Sequence, residues 1–312
     1  MSAAAPDPRD RLTALLAVLS TPELDPRVSQ SVQRLARTFA DQCAAVLFYG
    51  SCLRTGQVSG MMLDFYVLVD DYRATHGRWL PVLANRLAPP NVYYFETVID
   101  GEAVRAKYAV LTLAHFRRLA GPGTFNTAIW ARFAQPVALA YCRDEAARAA
   151  VIEALADAHV TLLGRAQPLA QTDPVADDPL MAWRQAFGLT YGCEFRAESA
   201  GRPGAIVDAN AEYYRRIGPL VEAALAADGR IEPVTPAWAH WQWRFRRVEG
   251  PARHIARLVT AAFTFAGGVD YLAWKIQRHS GVAVTVKDWH RRHPLLAGLW
   301  LFMRLRLRRA FR

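Results

Sequence analysis

Residues 46 to 70 read VLFYGSCLRTGQVSGMMLDFYVLVD: two apolar strand-like runs, a Gly50-Ser51 turn after the first, and one carboxylate, Asp64, inside the second. Asp64 stands between Leu63 and Phe65, in a segment that otherwise reads as buried strand. An unpaired buried charge costs several kcal/mol, so an acid placed there needs a cation, a metal or water within reach. Fold and chemistry both turn on what supplies that partner.

The chain has 312 residues, roughly twice the usual single-domain size, which sets an expectation of two domains with appendages. The expected divisions are 1–165, 166–290 and a tail over 291–312. A hydrophobic fraction of 52% argues for a packed core and against disorder. Cys43, Cys52, Cys142 and Cys193 form no C-x-x-C pair and no zinc pattern, and read as reduced thiols of a cytosolic compartment. The opening MSAAAPDPRD lacks the charged and apolar blocks of a secretory signal, and no apolar run is long enough to span a bilayer. A soluble or peripheral protein is expected.

Charge is unevenly placed. The net charge is +10, yet from Arg244 onward 15 Arg and Lys face only Glu249, Asp270 and Asp288, so this part carries +12 and the first 243 residues about −2. That asymmetry suggests a polyanion met by the C-terminal part, either nucleic acid or an anionic lipid surface.

Periodicity predicts helices over 9–19 and 27–41, strands over 44–49 and 62–69, and a helix over 74–87 that stops before Pro89-Pro90. VYYFETVI and AVRAKYAVLTL flank Asp100-Gly101, a hairpin signal. A helix over 144–163 follows, then the linker-like QPLAQTDPVADDP. Beyond it the pattern is helical, over 179–199, 205–227, 236–247 and 251–265. The expected fold class is α+β: a mixed sheet with flanking helices, a mostly α-helical second domain, and a C-terminal amphipathic helix.

A strand ending in Gly-Ser, a loop, and a second strand bearing an acid is the layout of a nucleotidyltransferase of the DNA polymerase β type. Glycine lets the backbone approach a triphosphate, and the Gly50 and Ser51 amides with the Ser51 hydroxyl donate hydrogen bonds to its oxygens. The acid then holds Mg²⁺, which neutralises charge on the leaving pyrophosphate. A plain surface turn before a strand acid gives the same pattern.

The superfamily carries a second acid two residues on, and here that place is Tyr66. Asp70 and Asp71 begin six residues along the strand, about 20 Å away, too far for one ion. Glu96, in YYFETV, and Glu194, on a predicted helical face with Tyr191 and Glu198, are the remaining metal candidates. An ordinary ion pair with Arg202 is the plainer reading of that helical face.

FYGSCLRTGQ, LDFYVLVDDY, VRAKYAVLTL, WARFAQPV and TYGCEFRAE, in this order, together resemble the mitochondrial-type phosphatidate cytidylyltransferase family, over about residues 46–285. That family has a YGSG turn, a strand with a single acid, a KYG segment, an AGRL-x-KPV segment and an SY-x-GD-x-R helix. FAGGVDYLAWKIQRHSG resembles its late block. The resemblance implies that Asp64 and Glu194 bind Mg²⁺ with Glu96 as a third candidate, and that Gly50 and Ser51 hold the CTP phosphates. It also implies that Tyr191, Arg132 and Arg196 line the nucleotide site and that the acceptor is phosphatidate. Cys52, Ala109 and Cys193-Glu194 depart from the family's Gly, Gly and Gly-Asp.

Lys107 stands out because Lys107, Lys275 and Lys287 are the only lysines among 38 basic residues. A compact ammonium fits between phosphate oxygens where a planar guanidinium fits less well, so Lys107 is expected on the triphosphate. The tail HPLLAGLWLFMRLRLRRAFR gathers Leu296, Leu299, Trp300, Met303, Leu307, Ala310 and Phe311 in an arc of roughly 120° beside Arg304, Arg308 and Arg312. That is the pattern of a helix lying on an anionic membrane surface, with a core helix or an RNA-contacting tail as the plainer readings. The expected partners are CTP, phosphatidate and a membrane, with no nucleic acid. Another phosphate acceptor, or a decayed RNA- or lipid-binding module, are the alternatives.

Overall fold

A computed structural model of the chain describes residues 6–77, 79–87, 89–170, 178–193, 202–264 and 286–292. Asp7 and Asp25, each followed by proline, start helices α1 (Pro8–Leu19) and α2 (Pro26–Phe39). Each carboxylate accepts from the amide two residues on, while the proline occupies a position where no N–H is needed. Then come β1 (Cys43–Tyr49), α3 (Ser51–Thr55), β2 (Met62–Val69), α4 (Tyr72–His76), α5 (Trp79–Leu87), β3 (Asn91–Ile99) and β4 (Glu102–Thr112). The Asp100-Gly101 turn joins β3 to β4 with both residues at positive φ, 52° and 80°, the geometry of a tight two-residue hairpin loop.

Helices α6 (Leu113–Ala120) and α7 (Trp130–Phe133), strand β5 (Ala138–Cys142) and helix α8 (Glu145–Ala166) complete the sheet region. After them lie α9 (Met181–Tyr191), α10 (Arg202–Asp208), α11 (Ala211–Ala227), α12 (Pro236–Thr264) and a short helix, Asp288–Arg292. The fold is α+β, a mixed sheet followed by a mostly helical region. Among the described residues no helix is long and apolar enough to cross a membrane.

The sheet order is β3-β4-β2-β1-β5, with β2 and β4 parallel and the other pairs antiparallel. Parallel neighbours need a crossover, and here α4, α5 and β3 provide it. Both faces are covered. On one, Phe48, Phe65 and Val67 pack under Val28, Val32 and Leu35 of α2. On the other, Leu47, Tyr66, Leu68 and Leu111 meet Leu12 and Leu16 of α1, Phe116, Phe133 and Leu155. Each such buried aliphatic contributes about 1.5–3 kcal/mol, and Leu47→Ala should cost about 2–5 kcal/mol. Trp183, Phe187, Tyr214 and Val221 of the later helices belong to that same apolar cluster.

Several elements differ from the sequence-based expectation. The helix over 74–87 is two helices, because Gly77 at φ 59° closes α4. The helix over 205–227 breaks at Ala209-Asn210, where the Asn210 side chain donates to the Ile206 carbonyl. The helices over 236–247 and 251–265 are one, α12, running through Pro251. An interior proline costs about 3 kcal/mol. Packing offsets it: Trp243 and Arg246 are buried, and Gly250 lies so close to the Cys193 carbonyl that no Cβ would fit. Strand β5 is set by pairing with β1 and is too short for alternation to announce it. Glu194, Arg196 and the tail over 291–312 lie outside the described residues, apart from Arg291 and Arg292 at the end of the last short helix.

Candidate active site

Register places the candidate residues in one row. Tyr49 pairs with Asp64, Asp64 with Lys107, and Lys107 with Tyr94, so all four point to the same sheet face. Two residues further along that face Leu47, Tyr66 and Ala109 are buried under helices. In the other direction Met62 is half-buried, so the Asp64 row lies where the helical cover ends. A carboxylate inside an apolar strand is tolerable here because its end of the face is open to water.

The partner that Asp64 requires is Lys107. Its Nζ lies 3.0 Å from Asp64 Oδ1, with side chains 38% and 16% exposed. The approach lacks the alignment of a hydrogen bond, and Oδ1 is buried with no aligned donor. Above the pair, Gly50 has φ +91°, a conformation L side chains rarely adopt, and a Cβ there would meet Asp64 Oδ2 at 3.0 Å. The turn is therefore bare backbone directly over the carboxylate. Ser51 opens α3, and Cys52 is buried beneath it with its thiol donating to the Met62 carbonyl.

Arg132 reaches the same place from α7. It donates to the hydroxyls of Tyr49 at 3.3 Å and Tyr66 at 3.4 Å, and its guanidinium carbon lies 5.4 Å from the Tyr49 ring centroid. Burial, with Asp64 adding to it, holds the Tyr49 phenol protonated far above its ordinary range. Arg132 and Asp64 thus flank Tyr49 with opposite charges.

Glu96 is placed differently. It accepts from Arg105 Nε and Nη2 at 3.2 and 3.1 Å and from the Tyr94 hydroxyl at 2.7 Å. It lies two strands from Asp64 and two residues along, a Cα separation of about 12 Å. The register does not bring the two carboxylates together, and the cation beside Glu96 is Arg105. Tyr191 closes α9, beside the point where Arg247 and Gly250 of α12 meet Gly192 and Cys193. Asp70 pairs with Arg143, and Asp71 caps α4.

Sequence reasoning missed Tyr49, Tyr94 and Arg105. The alternation of β1, β3 and β4 fixes their common face once the register is known, but register is a tertiary quantity.

Mg²⁺ usually takes one or two carboxylates and completes its shell with phosphate oxygens and water. Asp64, whose Oδ1 has no aligned donor, fits the first role. Among the described residues no group of three or more His, Cys, Asp or Glu could hold a metal ion alone. The chain matches no protein-family model and no curated protein sequence.

Proposed function

We propose that this chain is a Mg²⁺-dependent nucleotidyltransferase that converts CTP and phosphatidate into CDP-diacylglycerol and pyrophosphate at the inner face of a membrane. The observation that carries the reading is the in-register Asp64–Lys107 pair beneath a glycine turn that excludes a side chain. The resemblance to phosphatidate cytidylyltransferases supplies the choice of nucleotide and acceptor.

In this reading the Gly50 and Ser51 amides and Lys107 Nζ gather the triphosphate, and Arg132 adds positive charge from the Tyr49 side. Lys107 is exposed enough to turn from Asp64 to a phosphate oxygen. An oxygen of the lipid phosphate attacks the α-phosphorus in line, the bond to the β-phosphate bridge breaks, and pyrophosphate leaves. The nucleophile is already ionised at neutral pH, so no protein base is required and the residues act by positioning. Asp64 would hold Mg²⁺ together with the phosphates, and the ion would supply charge neutralisation at the leaving group. Glu194, Tyr191 and Arg196 keep the parts that the resemblance gives them.

Labelled CTP with phosphatidate vesicles and Mg²⁺ tests this. Label in the lipid supports the proposal, and label appearing only in another phosphate acceptor keeps the chemistry but replaces the substrate. Nucleotide binding with no transfer to any acceptor points to a binding module. That reading draws on Tyr66, which stands at the second acid position and is engaged by Arg132.

A further inference from the structure

Helix α12 has two faces of opposite character. Ala239, Trp243 and Arg246 are buried, with Trp243 packed edge-on against Trp130 and donating to the Arg165 carbonyl, and Arg246 donating to the Phe125 carbonyl. The outward face carries Trp238, Trp241, Phe245 and Val248, which are 50, 53, 52 and 71% exposed. Scattered exposed apolar residues are ordinary; a contiguous stripe is not.

The rings form a ladder. Trp238 stacks on Trp241 with centroids 4.8 Å apart and 5° between planes, and Trp241 on Phe245 at 5.8 Å and 15°. His240, Arg244 and Arg247 are exposed on the adjoining arc, and no acid stands among the exposed residues from Thr235 to Val248. At 100° per residue the ladder and the basic arc lie side by side.

We infer that this face of α12 docks on an anionic phospholipid surface, with the ring edges at headgroup depth and Arg244 and Arg247 on the lipid phosphates. Single-stranded nucleic acid fits less well, because base stacking needs free ring faces and the ladder spends most of its own on itself. A second copy pairing through the same face would bring two rows of arginine together. α12 also touches β3, the edge strand beside the Lys107 strand. The inference deepens the lipid-acceptor reading, and it is independent of the tail over 291–312.

The test is co-sedimentation of the full chain with phosphatidylcholine vesicles, with and without added phosphatidylglycerol. Wild type should bind the anionic vesicles, Trp241→Ser/Phe245→Ser should bind them about tenfold less, and Arg244→Glu/Arg247→Glu should lose the preference for anionic lipid. These residues are exposed, and an unchanged thermal midpoint confirms that both variants fold. Vesicle binding that is absent in wild type, or unaltered in both variants, overturns the inference. So does a ladder variant that loses oligo(dT) binding or self-association while keeping vesicle binding. Transfer from CTP to soluble short-chain phosphatidate is measured beside it. The ladder variant should keep that activity, and its absence in wild type defeats the enzymatic reading without touching the vesicle result.

Discussion

Two carboxylates stand on the same open end of one sheet face and are held in opposite ways. Glu96 is well satisfied, taking two donors from Arg105 and one from Tyr94. Asp64 is undersaturated: Lys107 is near one oxygen without hydrogen-bond alignment, and the other oxygen lies under Gly50. A partly exposed, ion-paired acid contributes modestly to stability. A partly buried acid held by one ion pair keeps lone pairs open to a further ligand. Under the proposed function the contrast would separate a structural carboxylate from one that takes part in the chemistry.

Substitutions sharpen or break that contrast. Asp64→Asn keeps the shape and removes the charge, so transfer from CTP should fall about 10³-fold with the fold retained; a variant within threefold of wild type, on the order of 0.7 kcal/mol, would remove Asp64 from the chemistry. Gly50→Ala forces a Cβ against Asp64 Oδ2 at a positive φ. A loss of about 10²-fold in transfer and about 1–3 kcal/mol in stability is expected, read from kcat/KM and chemical denaturation. Lys107→Arg keeps charge but changes shape, and should raise the KM for CTP about tenfold; unchanged nucleotide affinity and rate would refute a triphosphate contact.

The smallest effect belongs to Glu96→Gln. It should leave transfer within about threefold of wild type and cost about 1 kcal/mol or less in unfolding free energy, because its salt bridge is partly exposed. A drop as large as that of Asp64→Asn would erase the distinction and return Glu96 to the metal.

Much of the sheet was legible in the sequence. Residues 46–70 announced β1, the Gly-Ser turn and β2, and Asp100-Gly101 announced the hairpin, because alternation and positive-φ turn residues are local properties. Lys107 stands out in the sequence by its rarity. That Lys107 faces Asp64 was not legible, since β2 and β4 are parallel neighbours joined through a crossover of more than 30 residues. Nor does anything local say that Arg105, nine residues on from Glu96, sits opposite it across the hairpin. The continuity of α12 was hidden for a related reason: Pro251 reads as a break, and only the seating of Trp243, Arg246 and Gly250 against other elements overrides it.

By itself, the sequence determined the strand-turn-strand unit, an acid within it, and a basic C-terminal third, all of which follow from side-chain type and spacing. Tertiary structure alone decided which charges meet. Register, crossover and helix docking bring residues from distant parts of the chain to one face, and the energy of a charge depends on what stands within a few ångströms of it.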